Sequence, residues 1–345
     1  MCVVDLHNHM VTEEVVAFLA DEGARLETKI EGEGAERLAR IGESAMRPLH
    51  ARMCDADARI VDMDRLGIRI QAVSCTPFVL YPDAPPDLGL ELARVNNDGL
   101  AAVAARHPGR FVPLASVPLA DPEAAATELE RAVGLGLRGV EIPPATRELD
   151  LDDPRLDPFY AAAAAHGVPI CIHPFDASPS GALARYGLSP LVGNPMDTGL
   201  AASLLVMGGV LERHPGLDLV LYHGGGTFPA LLGRLAKGHS LFDVCRSKAT
   251  RSPLDTLRHF SFDTVVFEES WLRYLVDRFG ADRVVMGTDY PLPLGPKDPV
   301  AEIRALGLGE AAERAILGEN ALALLGVDAS GEGVDGARAV GEGAR

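Results

Sequence analysis

Eight short apolar runs, separated mostly by longer helical stretches, constrain the fold of this chain more than any other feature. They occupy residues 3–6, 70–75, 111–117, 139–142, 168–173, 217–223, 262–265 and 284–289. Several are continuous rather than alternating in polarity, the pattern of parallel strands covered on both faces. The segments between them, such as 122–135, 158–166 and 269–279, are rich in Ala, Leu, Glu and Arg and read as helices. Eight strand-helix repeats point to an α/β fold, a (β/α)8 TIM barrel, rather than an open doubly wound sheet. No Gly-x-Gly-x-x-Gly follows the first strand, which further disfavours the open sheet. A length of 345 residues fits one such barrel with insertions. Residues 12–64, partly helical and charged, are expected as an insertion after strand one, and residues 175–197, rich in Pro, Gly and Ser, as another after strand five. Both follow the carboxyl end of a strand, where barrel enzymes build their sites. The barrel is expected to span residues 1–328. The tail 329–345, rich in Gly, Ala and charge without an apolar period, reads as disordered.

Composition excludes several classes. A formal charge of -17 argues against nucleic acid, whose binding is driven by clustered Lys and Arg. No apolar run approaches the ~18 residues of a membrane span. The opening MCVVDLHNHM has neither a basic nor an apolar signal region, so a cytoplasmic location is expected. Five cysteines without Cys-x-x-Cys spacing are expected as reduced thiols.

The ten histidines sort by which end of a strand they occupy. His107, His166 and His214 stand in turns that lead into strands, at the bottom of a barrel, where capping is the expected role. His7 and His9 end strand one, His173 strand five, His223 strand six and Asp289 strand eight, so all five converge on the top rim. Residues two apart on a strand point the same way, so His7 and His9 can reach one ion. With His173 and Asp289 they form a ligand set for one divalent metal, with room left for water or substrate. Zn2+ is the expected ion, and Mn2+, Fe2+ or Co2+ suit the same groups. Strand four carries no lysine to bridge a second metal. Its Glu141 faces either the barrel interior or a helix. His223, in YHGGGTFP, is expected as general acid-base, or else as a residue that orients a ligand. Asp289 is expected to serve catalysis as well as the metal.

On the motifs DLHNHM, MRPLHARMCDADARIVDMDRLGI, IHPFD, LERHPGLDLVLYHGGGTFPALLGR and MGTDYPLPLG, the chain resembles the amidohydrolase superfamily. Within it, the chain is similar to the aminocarboxymuconate-semialdehyde decarboxylase group. That resemblance implies a mononuclear zinc-type site, nonhydrolytic loss of CO2 from an unsaturated or aromatic acid, and a homodimer. It also implies that Arg47 and Arg234 bind the substrate carboxylates, Arg234 entering from the neighbouring subunit. A guanidinium suits that task, gripping a carboxylate through two parallel hydrogen bonds. The chain departs from the group at Phe175 and Leu292, where Trp and Phe are typical, so the pocket is expected to differ there. The same ligand set also suits a hydrolase of a lactone or amide, or a hydratase of an unsaturated dicarboxylate. A binding protein that has lost catalysis is disfavoured by His223 and Asp289 together.

Overall fold

Strand β1 (Val4–Met10) is buried at every residue, and so is β2 (Ile70–Cys75), as strands covered on both faces must be. The computed structural model describes residues 1–42, 45–174 and 181–333. β1 pairs in parallel with β2, and β2 with β3 (Phe111–Pro113). A second parallel arc runs through β4 (Val140–Ile142), β5 (Ile170–Ile172), β6 (Leu219–Leu221), β7 (Phe260–Asp263) and β8 (Val284–Val285) in chain order. The arcs join at both ends. Ala115 bridges to Val140, its N–H donating to Gly139 O at 2.8 Å. On the other side Leu6 N–H donates to Met286 O at 2.9 Å and Thr288 N–H to His7 O at 3.0 Å. The eight strands therefore close into the expected barrel. β3, β4, β5, β6 and β8 are shorter than the apolar runs that announced them, because those runs extend beyond the paired segment, whereas β1 runs past its apolar stretch to Met10 and β7 starts two residues before its own.

Inside, Val4, Leu6, Val112, Leu114, Cys171, Val220 and Tyr222 pack into one cluster. Outside, helix residues such as Phe159, Leu205 and Phe228 close over the sheet in one cluster with strand residues such as Phe262. The pairing of β1 with β2 slips between Asp5 and Asn8. Val4 and Leu6 face the interior before the slip, and His7 and His9 reach the site beyond it. A strict period of two would turn both histidines away from a barrel lined by Val4 and Leu6.

The insertion after β1 contains helix Glu13–Glu22, capped by Thr12, and an antiparallel sheet of Thr28–Glu31, Leu38–Ile41 and Ala45–Pro48. That sheet was not anticipated. Its strands are only four residues long, so their alternation is too brief to register, and charged pairs such as Arg40 with Glu31 mask them. Helix Ala56–Leu66, N-capped by Asp55 and ended by Gly67 in the left-handed region (φ 71°), is the barrel's own helix after β1, so the inserted segment ends before it and not at the expected residue 64. A third cluster, including Val15, Leu19, Leu26, Ile41 and Leu88, seats the insertion on the barrel.

After β5 the described chain resumes at Gly181 and enters helix Asn194–Met207. Phe175 lies outside the described residues, as does the tail from residue 334. Residues 329–333 form a turn closed by a Val327–Gly333 bridge. No helix among the described residues is long and apolar enough to cross a membrane.

Candidate metal centre and active site

The carboxyl ends of β1, β5, β6 and β8 bring His7, His9, His173, His223 and Asp289 to one place on the rim. Asp289 Oδ1 lies 3.2 Å from both His7 Nε2 and His9 Nε2 and 3.9 Å from His173 Nε2. Its other oxygen, Oδ2, lies 4.0 Å from His223 Nε2. His7, His173, His223 and Asp289 offer ligand atoms all within 4.8 Å of one another. The two nitrogens His7 Nε2 and His9 Nε2 are 3.2 Å apart.

The far side of each imidazole decides what the near side can do. His7 Nδ1 faces Asp263 Oδ2 at 2.5 Å, His9 Nδ1 faces Cys75 O at 2.9 Å and His173 Nδ1 faces Pro174 O at 2.8 Å. Each partner only accepts, so each Nδ1 carries the hydrogen and each Nε2 presents a lone pair to the common point. With the rings neutral, as metal binding requires, three lone pairs and a carboxylate oxygen face one point nearly sealed from solvent. His173 Nε2 is buried without a hydrogen-bond partner among the described residues. A divalent cation is what such a set lacks, and the residues fit one.

The charges follow the same logic. Burial works against ionising Asp289, yet its contacts with His173, His7 and His9 hold its carboxyl well below the usual range. Burial also disfavours charge on His7, but the carboxylates of Asp263 and Asp289 carry its pKa up to about 10 in the absence of metal. Burial and the nearby imidazoles push His173 and His223 down to about 4.

The backbone is bent to this purpose. His223 and Asp289 both have φ of 56°, a region that non-glycine residues adopt at a cost. Gly224, Gly225 and Gly226 follow with φ of 60°, 78° and 56°. A Cβ at Gly226 would meet Pro195 O at 2.1 Å, and one at Gly224 would meet Val266 Cγ1 at 2.2 Å. Only glycine lets this turn lie against the helix after β5 and keep His223 at the rim.

Two carboxylates support the cluster that sequence reasoning had not placed there. Asp263 ends β7, which spans 260–263 rather than the expected 262–265, so the strand end that marks it was placed two residues too late. Glu141 faces the interior: its Oε2 lies 2.6 Å from Ser74 Oγ and 4.0 Å from His9 Nδ1, on the side of that ring away from Nε2. Burial raises its pKa to about 8. Behind β1, the fully buried Arg59 donates to His9 O and, at 2.7 Å, to Asn8 Oδ1, and stacks over Tyr290.

The arginines stand apart from the histidines in their supports. Arg47 is partly buried on the insertion's sheet, opposite Ala39, and burial lowers its pKa. Arg234 is exposed on helix Phe228–Leu241. Leu292 packs against the cluster under the insertion. A cavity of about 730 Å3 opens between the insertion and the rim, lined among others by Leu26, Ile41, Phe78, Tyr81, Pro143 and Leu200, and none of the five clustered residues lines it. At the other end of the barrel His107 ends helix Pro86–Arg106, His166 precedes the capping Gly167, and His214 Nε2 meets Asp157 Oδ1 at 2.8 Å.

A family profile described as Amidohydrolase matches residues 4–327. A 2-amino-3-carboxymuconate-6-semialdehyde decarboxylase of Dictyostelium discoideum is 35% identical over 82% of this chain and 79% of its own length. A gamma-resorcylate decarboxylase of Rhodococcus jostii is 31% identical over 70% of this chain and 79% of its own length. Among solved structures, a dihydroxybenzoic acid decarboxylase from Polaromonas, holding manganese and the inhibitor 2-nitroresorcinol, superposes with a TM-score of 0.77 at 26% identity, over 94% of this chain and 96% of that one.

Proposed function

The chain belongs to the amidohydrolase family, and from that membership we propose that it is a carboxy-lyase, a metal-dependent decarboxylase releasing CO2 without hydrolysis from an unsaturated or aromatic carboxylic acid. One observation carries the reading. Asp289 divides its carboxylate, Oδ1 toward His7, His9 and His173 and Oδ2 toward His223. In this reading the first group holds the ion and His223 stands beside it as acid-base residue.

A divalent cation held there supplies Lewis acidity and a lowered pKa for water. The chain's own residues do the rest. His223 Nε2, unprotonated near neutrality, would take a proton from water at the site, leaving hydroxide, and deliver it to the carbon that loses CO2. A C–H bond replaces the C–C bond, and the electron pair of the broken bond stays on that carbon. Arg47 grips a substrate carboxylate from the insertion. Arg234 reaches the site of a second copy. It shares one exposed helix face with Leu231 and Leu241, three and seven residues away, and the following Phe242 and Val244 are also exposed. The pair of carboxylate-binding residues suits an anionic substrate despite the acidic chain. Zn2+ matches the imidazole-rich set, with Mn2+, the ion of the Polaromonas relative, as its competitor.

A second ligand set is favoured by the mutual proximity of His7, His173, His223 and Asp289, which would make His223 a ligand. Metal content of His223→Ala separates the two.

The deciding experiment measures CO2 evolution and acid release in parallel, with aminocarboxymuconate semialdehyde, dihydroxybenzoates, lactones and amides. The metal-loaded protein should evolve CO2 from an acid and contain close to one transition ion per chain. Lactone or amide opening without CO2 would overturn the decarboxylase reading. Hydration of an unsaturated dicarboxylate would replace it with a hydratase, and two ions per chain would end the mononuclear one.

A further inference from the structure

Asp263, at the end of β7, is wholly buried and commits each of its oxygens to a different part of the site. Oδ2 lies 2.5 Å from His7 Nδ1. Oδ1 accepts from Gly224 N–H at 2.7 Å and from Val265 N–H at 3.2 Å. The first contact reaches a candidate ligand on β1. The second reaches the peptide that directly follows His223, at the start of the strained glycine turn. Gly287 makes room for the arrangement, since a Cβ there would meet His7 Cβ at 2.8 Å and Asp263 Cβ at 3.2 Å. Tyr222 fixes the plane of the His7 ring by stacking on it, with centroids 3.7 Å apart and planes within 6°.

An ionised carboxylate accepts and never donates. Facing Oδ2, His7 Nδ1 must carry the hydrogen, and the lone pair of Nε2 is then turned toward His9 and Asp289. Facing Oδ1, the Gly224 amide is held in one orientation, and this sets where the His223 side chain leaves the backbone. We infer that Asp263 is a positioning residue that ties the metal-binding form of His7 to the placement of His223 through one carboxylate. The inference rests on His7 as ligand and His223 as acid-base residue.

Asp263→Asn tests it with almost no change of volume. An amide has one accepting and one donating end. With its oxygen on Gly224 N–H, its NH2 faces His7 Nδ1, which must then accept, and the hydrogen moves to Nε2, where it blocks the metal. With the amide reversed, two donors meet at Gly224 and the turn is displaced. No orientation satisfies both contacts.

Metal affinity of Asp263→Asn, measured by competition with a chelator, should fall about 10- to 100-fold, the usual effect of losing the partner behind a metal-bound histidine. At saturating metal, kcat should fall while KM stays within about twofold, since the carboxylate-gripping arginines are untouched. A merely structural role would lower Tm and leave both of these unmoved. In the Zn2+-loaded wild-type protein, 15N NMR should show His7 ligated through Nε2 with Nδ1 protonated, a measurement that does not depend on the variant folding. Ligation through Nδ1, or an Asp263→Asn protein with wild-type metal affinity and kcat, overturns the inference and leaves the metal site itself intact. A His7→Ala protein that binds metal as tightly as wild type overturns instead the reading on which the inference stands.

Discussion

His223 is held uncharged by burial, with His173 and His7 beside it, so its pKa is pushed down to about 4 from the ordinary 6.5. At neutral pH it is therefore the free base that proton uptake requires. The acid limb of kcat/KM should fall below pH 6.5, activity declining as the medium is acidified toward about 4. A limb at 6.5 or above would show that another group controls the rate. The same depression has a consequence for the metal-free fold. Between about pH 6.5 and 4 the unfolded chain binds the proton that native His223 and His173 refuse, so stability falls as pH falls through that window. Replacing His223 by Ala should leave the ion in place and lower turnover ~100- to 10,000-fold. Loss of the ion would make His223 a ligand, and unchanged turnover would remove it from the chemistry. At this scale the sequence was informative for a physical reason. A histidine or carboxylate that ends an apolar run stands on the rim of a barrel, so the sequence alone brings His7, His9, His173, His223 and Asp289 together. Asp263 and Glu141 escape that rule, since Glu141 stands in the middle of β4 and Asp263 inside the expected run 262–265, and their partners from β1 and β2 cannot be read along one strand.

The elements that present these residues are harder to read. The register slip in β1 depends on how β2 pairs with it, so its local sequence announces a His-x-His pair but not the change of phase that turns both rings inward. The insertion's sheet escaped for a related reason: three four-residue strands become stable only by pairing with each other and covering Val15, Leu19 and Leu26. The glycine turn after β6 is the opposite case, since three consecutive glycines advertise backbone that no side chain can occupy. That claim can be checked by comparing two glycines. Gly226→Ala puts a Cβ 2.1 Å from Pro195 O in a residue already at φ 56°. It should lower Tm and displace His223, so that turnover falls as well. Gly134→Ala, exposed at the end of helix Pro122–Gly134 with nothing within 4 Å, should be neutral or stabilise by up to about 1 kcal/mol. Equal effects from the two substitutions, read by thermal unfolding, would show that the close approach at Gly226 has no special weight.

For the whole molecule, a chain with a formal charge of -17 must gather cations locally to hold an anionic substrate, and the proposed site takes one of them from a second copy. Helix Phe228–Leu241 buries Phe228, Leu232 and His239 and leaves Leu231, Arg234 and Leu241 exposed on one stripe. In the proposed dimer this stripe would supply apolar contact around an arginine, a residue favoured at interfaces. A twofold partner presenting the same helix would cover this stripe and bring each Arg234 to the other chain's histidines, the self-complementary arrangement of an isologous dimer. Mixing Arg234→Ala with His223→Ala, each nearly inactive alone, tests this arrangement. In a heterodimer one site carries both defects, while the other combines an intact His223 with an intact Arg234. With equal amounts and random exchange, half of the dimers are mixed and each of these has one working site of two. Activity should therefore recover toward about a quarter of wild type, a level set by the shared-site geometry of such a dimer. Absence of recovery after subunit exchange has been demonstrated, for instance by energy transfer between labelled chains, would show that Arg234 serves its own chain or no site.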